Sequence, residues 1–193
     1  MMNIEKSIGQ SIAVKQQMLT DTELHQKIRL AAEVCVKAFQ QHGKVLLCGN
    51  GGSAADAQHI AAELSGRFYY DRDPLYAEAL HVNTSYLTAV ANDYAYDQIY
   101  ARMVKAAGRP GDILIGLSTS GNSANVVKAF LQARLNGMTT IAFTGQKAGK
   151  LDELSDILIK VPSADTARIQ EAHILTGHIL CEIIEATIFP QND

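Results

Sequence analysis

The sequence predicts an α/β protein, a doubly wound five-stranded parallel sheet flanked by helices, with two additional helices ahead of it. Three observations carry this. After Gly43, short apolar runs alternate with helical patterns, the signature of a parallel sheet covered on both faces. Two of those runs end in stretches that open helices, Cys48-Gly49-Asn50-Gly51-Gly52-Ser53 and Ser118-Thr119-Ser120-Gly121-Asn122-Ser123. Before Gly43 no strand pattern occurs.

From Ile4 to Gln41 the chain is rich in Ala, Leu, Gln, Lys and Glu, with a break at Thr20-Asp21-Thr22-Glu23, where a Thr or Asp can cap a second helix. Ile28, Ala31, Ala32, Cys35 and Phe39 recur at helical spacing, giving this segment a face to bury, with another subunit as the expected cover. The pattern then reads Lys44–Cys48 strand, Ser53–Gly66 helix and a Tyr- and Asp-containing loop through Tyr76. Further strands are expected at Ala79–Asn83, Asp112–Leu117, Thr139–Thr144 and Asp156–Val161. Helices are expected at Thr84–Asp93, Asp97–Ala107, Asn122–Asn136 and Asp165–Phe189. Gly137 is placed as a helix C-cap, and Pro110-Gly111 as the turn into a strand. In the doubly wound order 2-1-3-4-5, strands one and three are neighbours and their carboxyl-end loops border one crevice. Those loops are the two glycine- and serine-rich stretches.

A chain of 193 residues suits one domain with a sizeable core, so 1–193 is expected to be a single unit with 1–41 as a helical extension used in oligomerisation. Its 47% hydrophobic and 19% charged residues are those of a globular protein rather than a disordered one. No apolar stretch approaches the roughly 20 residues that span a bilayer, and Met1-Met2-Asn3-Ile4-Glu5-Lys6 has no signal-peptide apolar core. A cytoplasmic protein with no membrane partner is the expectation. The net charge of −3, with scattered Lys and Arg, offers no footprint for nucleic acid. Cys35, Cys48 and Cys181 are far apart, apolar-flanked and without C-x-x-C spacing, as expected of buried thiols in a reducing compartment.

At a strand-to-helix junction the first helical N–H groups lack intrahelical partners and carry the positive end of the helix dipole, so an anion fits there. One such stretch is ordinarily a capped turn; two in one chain favour a phosphate and sugar cradle. Neither is a Walker A loop or a dinucleotide fingerprint. The second offers four hydroxyls around one turn, enough to wrap a phosphate monoester without a cation. His59 and Glu63 stand at i and i+4 on one helix face, either as a surface pair or as groups sharing a ligand or metal. Gln170 and His178 lie two turns apart and about 80° round the last helix, still one broad face. His173 lies between them and competes, while Glu171 points elsewhere. His178, flanked by Leu175, Ile179 and Leu180, reads in isolation as a packed histidine. Asn92-Asp93 either ends a helix or binds sugar hydroxyls.

Together, Cys48-Gly49-Asn50-Gly51-Gly52-Ser53, Ala91-Asn92-Asp93, Gly116-Leu117-Ser118-Thr119-Ser120-Gly121-Asn122-Ser123-Ala124-Asn125 and Ala167-Arg168-Ile169-Gln170-Glu171-Ala172-His173 resemble the sugar isomerase (SIS) domain family, and within it the bacterial phosphoheptose isomerases. The resemblance spans nearly the whole chain. It implies a homotetramer with active sites at subunit contacts. It also implies conversion of sedoheptulose 7-phosphate to D-glycero-D-manno-heptose 7-phosphate through an enediol, the first step of heptose supply for lipopolysaccharide. On the same resemblance Asn50, Gly51, Gly52, Ser53, Glu63, Asn92, Asp93, Ser118, Thr119, Ser120, Ser123 and Gln170 bind the sugar phosphate, and Glu63 and His178 are the acid/base pair. Some members bind zinc at the positions matching His59, Glu63, Gln170 and His178, which implies one ion per subunit here. A related branch, a non-catalytic regulator of replication initiation that binds the initiator as a tetramer (DiaA-like), departs at the first loop and lacks the acid matching Glu63. Gly52 and Glu63 therefore favour the enzyme. A sugar-phosphate sensor without turnover is a third alternative.

Overall fold

In the computed structural model, which describes residues 3–191, Asp21 divides the amino-terminal segment into α1 (Ile4–Thr20) and α2 (Thr22–Gln40). Its carboxylate accepts the Leu24 backbone N–H at 2.9 Å, so of the two predicted capping residue types the Asp is the one used. Met1, Met2, Asn192 and Asp193, included in the single-domain expectation and, for the two methionines, in the expectation about the amino terminus, lie outside the described residues.

The strands are β1 (Val45–Cys48), β2 (Ala77–Ala79), β3 (Ile113–Leu117), β4 (Thr139–Thr144) and β5 (Ile157–Lys160), all parallel in the order β2-β1-β3-β4-β5. The expected order is therefore observed. Cys48 pairs with Gly116, so β1 and β3 end within one residue of each other and their loops emerge side by side. The helices between and after the strands are α3 (Gly52–Ser65), α4 (Thr84–Asp93), α5 (Ile99–Ala107), α6 (Ala124–Leu135), α7 (Leu151–Leu154) and α8 (Thr166–Ile188), with a 3₁₀ turn at Tyr96–Gln98.

Side chains alternate across the sheet, so each face has its own core. Val45, Leu47, Ile115 and Phe143 pack towards α2, α3 and α8, while Leu46, Cys48, Leu114 and Ala142 face Tyr100 of α5 and Phe130 of α6. Strands buried on both faces read as continuous apolar runs, which is why they were visible.

Several element ends shift by one or two residues, and three differences have a structural reason. The second strand lies at Ala77–Ala79 instead of Ala79–Asn83, because Asn83 is already the cap of α4 and accepts the Tyr86 N–H at 3.0 Å. The chain must leave the sheet before it, and Val82 N–H turns back onto the Ala79 carbonyl. The sixth helix starts at Ala124 rather than Asn122, since the preceding residues form the turn at Gly121 (φ +65°). The single-turn α7, with Leu151 fully buried, was not predicted: four residues are too few to show helical periodicity.

The loop after α3 is fastened to the far end of α8. Glu185 accepts the backbone N–H groups of Phe68 and Tyr69 at 2.9 and 2.7 Å, and its carboxylate pairs with Arg72 Nε at 3.0 Å. Arg72 in turn donates to the carbonyls of Glu63 and Leu64. Burial acts to raise the Glu185 pKa, but the two N–H donors and Arg72 outweigh it and hold the carboxyl below its usual value. Among the described residues no helix is long and apolar enough to cross a membrane.

Candidate active site

The first loop leaves β1 through Gly49, whose carbonyl accepts the Tyr100 hydroxyl, and turns at Gly51 (φ +57°), a backbone state that glycine adopts without strain. The helix starts that border the crevice have no N-cap side chain bonded to them, although in α6 the Val126 N–H is taken by Asn125 Oδ1. Asn3, Asp21, Asn83 and Asp165 cap α1, α2, α4 and α8, whereas neither α3 nor α6 has a side-chain cap. At α6 the Ser123 hydroxyl instead meets that of Ser118 at 2.9 Å. The positive end of the α6 dipole beside these hydroxyls suits a bound anion.

Thr119 and Ser120 line a cavity of about 220 Å³ with Asn122, Lys147, Ser163 and Thr166. Four polar residues of this cavity were missed in the sequence. Asn122 lay inside the recognised stretch, but Lys147 and Ser163 come from loops after β4 and β5 and Thr166 is the first residue of α8, none of them marked by a motif. Asn50 is half-buried and bonded to Asn125 and Tyr96, two further residues that sequence analysis did not single out. Ser53 is buried beneath the first loop, while Gly51 and Gly52 are exposed above it.

The last helix comes to this loop through absent side chains. A Cβ on Gly52 would stand 2.6 Å from Gln170 Nε2, so the Gln170 amide rests directly on the start of α3. Two turns later a Cβ on Gly177 would stand 2.4 Å from Ile60 Cδ1, so α3 and α8 cross almost backbone to side chain. That crossing sets His178 against His59, with ring centroids 5.0 Å apart and the rings edge-on at 72°. His59 Nε2 lies 3.0 Å from Glu63 Oε1. One ligating atom from each of His59, Glu63 and His178 falls within 4.8 Å of the other two. His178 Nε2 is buried without a hydrogen-bond partner, and Phe68 packs on the same ring at 5.7 Å.

The remaining candidates fall apart from this cluster. Asn92 and Asp93 end α4, exposed, with the Asn92 amide donating to the Asp93 carboxylate at 2.9 Å. His173 is fully buried, its ring centroid 5.7 Å from that of Phe143. Burial lowers its pKa to about 4, and it is a core residue. Glu171 points away, to Arg168 at 2.7 Å and Lys15 at 3.8 Å. The three cysteines are buried and free, as expected.

The SIS domain family model matches residues 10–145. The phosphoheptose isomerase of Burkholderia pseudomallei (strain K96243) is 50% identical over 186 residues, which cover 96% of this chain and 94% of that protein. Two solved structures share the fold. Phosphoheptose isomerase GmhA from Neisseria gonorrhoeae has a TM-score of 0.89 at 44% identity, covering 95% of this chain and 97% of that one. A phosphoheptose isomerase from Francisella tularensis has a TM-score of 0.90 at 40% identity, covering 94% and 95%. Similarity of this extent, over the sheet, both loops and the last helix alike, places the chain in the SIS-domain family and, within it, among the phosphoheptose isomerases.

Proposed function

We infer that this chain is an aldose–ketose isomerase that converts sedoheptulose 7-phosphate to D-glycero-D-manno-heptose 7-phosphate, with Glu63 and His178 as its acid/base pair. The observation that carries the assignment is the meeting of His59, Glu63 and His178 on two helices, one of which springs from the first loop. Ser118, Thr119, Ser120 and Ser123 grip the phosphate, while Asn50, Gly51, Gly52, Ser53, Asn92, Asp93 and Gln170 take the sugar. Isomerisation removes a proton from C1 of the ketose, protonates the C2 oxygen to give the enediol, then returns a proton to C2 as the C1 hydroxyl is deprotonated. One base at carbon and one acid at oxygen suffice. Glu63 holds the carbon proton, and His178 moves the proton at oxygen. The buried, partnerless Nε2 of His178 is available for that transfer.

The same donors suit zinc as an alternative to proton transfer by His178, because two imidazoles and a carboxylate are ordinary ligands for it and His178 Nε2, without another partner, would then be a ligand. His59, Glu63, Gln170 and His178 would hold one ion per subunit. When bound, the metal would polarise the substrate oxygens and stabilise the charge of the enediolate.

The enzyme works as a cytoplasmic homotetramer in this reading, a single domain whose segment 1–41 helps to join subunits, and its product supplies heptose for lipopolysaccharide. Exposed Ile4, Ile8 and Ile12, spaced one turn apart along α1, support the subunit contact. The buried, free cysteines agree with a reducing compartment. A non-catalytic replication regulator is not favoured, since Gly52 and Glu63 are both present.

The test is to incubate the purified protein with sedoheptulose 7-phosphate, with and without chelator and added zinc, and follow aldose formation. Turnover is expected, and Glu63→Gln should lower kcat by about 10² or more. No product under any condition would overturn the isomerase assignment, and a Glu63→Gln enzyme within a few fold of the parent would remove Glu63 from the base role. Loss with chelator and recovery with zinc is the outcome expected for the metal.

A further inference from the structure

We propose that Asn125 and Tyr96 are positioning residues that lock the Asn50 amide in one orientation, so that it meets the substrate as a hydrogen-bond donor to a sugar oxygen and not as an acceptor. The proposal rests on the assignment of Asn50 to the substrate made above, and deepens it.

The argument is a count of donors and acceptors, starting from the one group whose polarity is beyond choice. The Val126 backbone N–H can only donate, and it donates to Asn125 Oδ1 at 2.9 Å. Asn125 is buried, so this bond sets which end of its amide is oxygen. Its Nδ2 then faces Asn50 and donates to Asn50 Oδ1 at 2.8 Å, while Asn50 Nδ2 returns a bond to Asn125 Oδ1 at 2.8 Å. The two amides are paired head to tail, and flipping Asn50 alone would set oxygen against oxygen and nitrogen against nitrogen.

Tyr96 completes the lock. Its hydroxyl donates to Asn50 Oδ1 at 3.0 Å, so that oxygen receives two hydrogen bonds and both of its lone pairs are engaged. Asn50 Nδ2 has spent one of its two hydrogens on Asn125. The single hydrogen-bonding position left on this side chain is therefore an N–H. Asn50 stands between Gly49 and Gly51 at the mouth of the crevice, and Tyr96 reaches it from the 3₁₀ turn just beyond Asn92 and Asp93. A donor at that point recognises a hydroxyl or carbonyl oxygen of the open-chain sugar phosphate.

The experiment is a double-mutant cycle on Tyr96→Phe and Asn50→Ala, read as KM and kcat for sedoheptulose 7-phosphate and, independently of turnover, as its affinity by calorimetry. Tyr96 is exposed and the change to Phe removes one oxygen, so folding is not at stake. In the parent, Tyr96→Phe should weaken binding about 3- to 10-fold, the reach of one hydrogen bond, with kcat within about twofold. In the Asn50→Ala background the same change should do nothing. Asn125→Asp, which can still accept from Val126 but cannot donate to Asn50, should weaken binding further than Tyr96→Phe does. An equal Tyr96→Phe effect in both backgrounds would mean direct contact with substrate and overturn the positioning role. No effect in the parent would overturn it as well. If the protein binds the sugar phosphate without turning it over, the isomerase assignment falls while the affinity cycle still decides this one.

Discussion

His173 is fully buried between α8 and β4, and burial holds its imidazole at a pKa of about 4 against an ordinary value of 6.5. Between those values the unfolded chain binds a proton at this site and the folded chain does not. Stability from the neutral ring is therefore complete above pH 6.5 and is lost as pH falls towards 4, at up to about 1.4 kcal/mol per pH unit. Replacing His173 with Gln should flatten urea-denaturation stability between pH 6.5 and 4.5 relative to the parent, even if the variant is less stable at pH 7. An unchanged slope would show that the ring is not the acid-sensitive group. At this scale the sequence was informative where residues are neighbours on one helix: His59 and Glu63 announce themselves at i and i+4. Tyr96 and Asn125 lie 46 and 75 residues from Asn50, and no local spacing marks them as its partners. His173 and His178 look equally plausible on the same helix, and only packing separates them.

At the scale of elements, Gly177 decides how closely α8 approaches α3. An added Cβ would meet Ile60, itself 1% exposed, so there is no room to yield into solvent. Gly177→Ala is expected to cost about 1–3 kcal/mol by overpacking and to lower kcat, because His178 rides on the displaced helix. Denaturation and steady-state kinetics would measure both, and Ile60→Val in the same chain should recover part of each. Stability loss with kcat intact would mean that the crossing does not set the site. The long elements were legible because parallel strands buried on both faces are continuous apolar runs. The misplaced β2 shows where that signal ends. It is three residues long at the sheet edge, and the apolar Leu80 and Val82 beyond it belong to a turn that delivers Asn83 to its cap.

Over the whole molecule, the sheet order expected from the common doubly wound pattern is the one observed, and it sets the two loops side by side. The outward face of α1 was not read from the sequence, since the predicted apolar face belonged to α2. Ile4, Ile8 and Ile12 are 72%, 55% and 50% exposed, a stripe that a single subunit leaves uncovered. Ile8→Glu should shift the sedimentation coefficient from that of a tetramer towards smaller species, with the circular dichroism spectrum unchanged. Sedimentation of the parent as a monomer would overturn the tetramer.

The position of α8 has a further consequence, in time rather than in space. Gln170 and His178 belong to the final helix, and so does Glu185, which fastens the loop after α3 from 113 residues away in sequence. A growing chain that has reached Asp165 already contains all five strands, both loops, His59 and Glu63. It lacks Gln170 and His178, and also Thr166, which lines the cavity beside Thr119 and Ser120. In the proposed assignment, catalytic competence is thus withheld until synthesis is nearly finished, because Gln170 and His178 are among the last residues to be added.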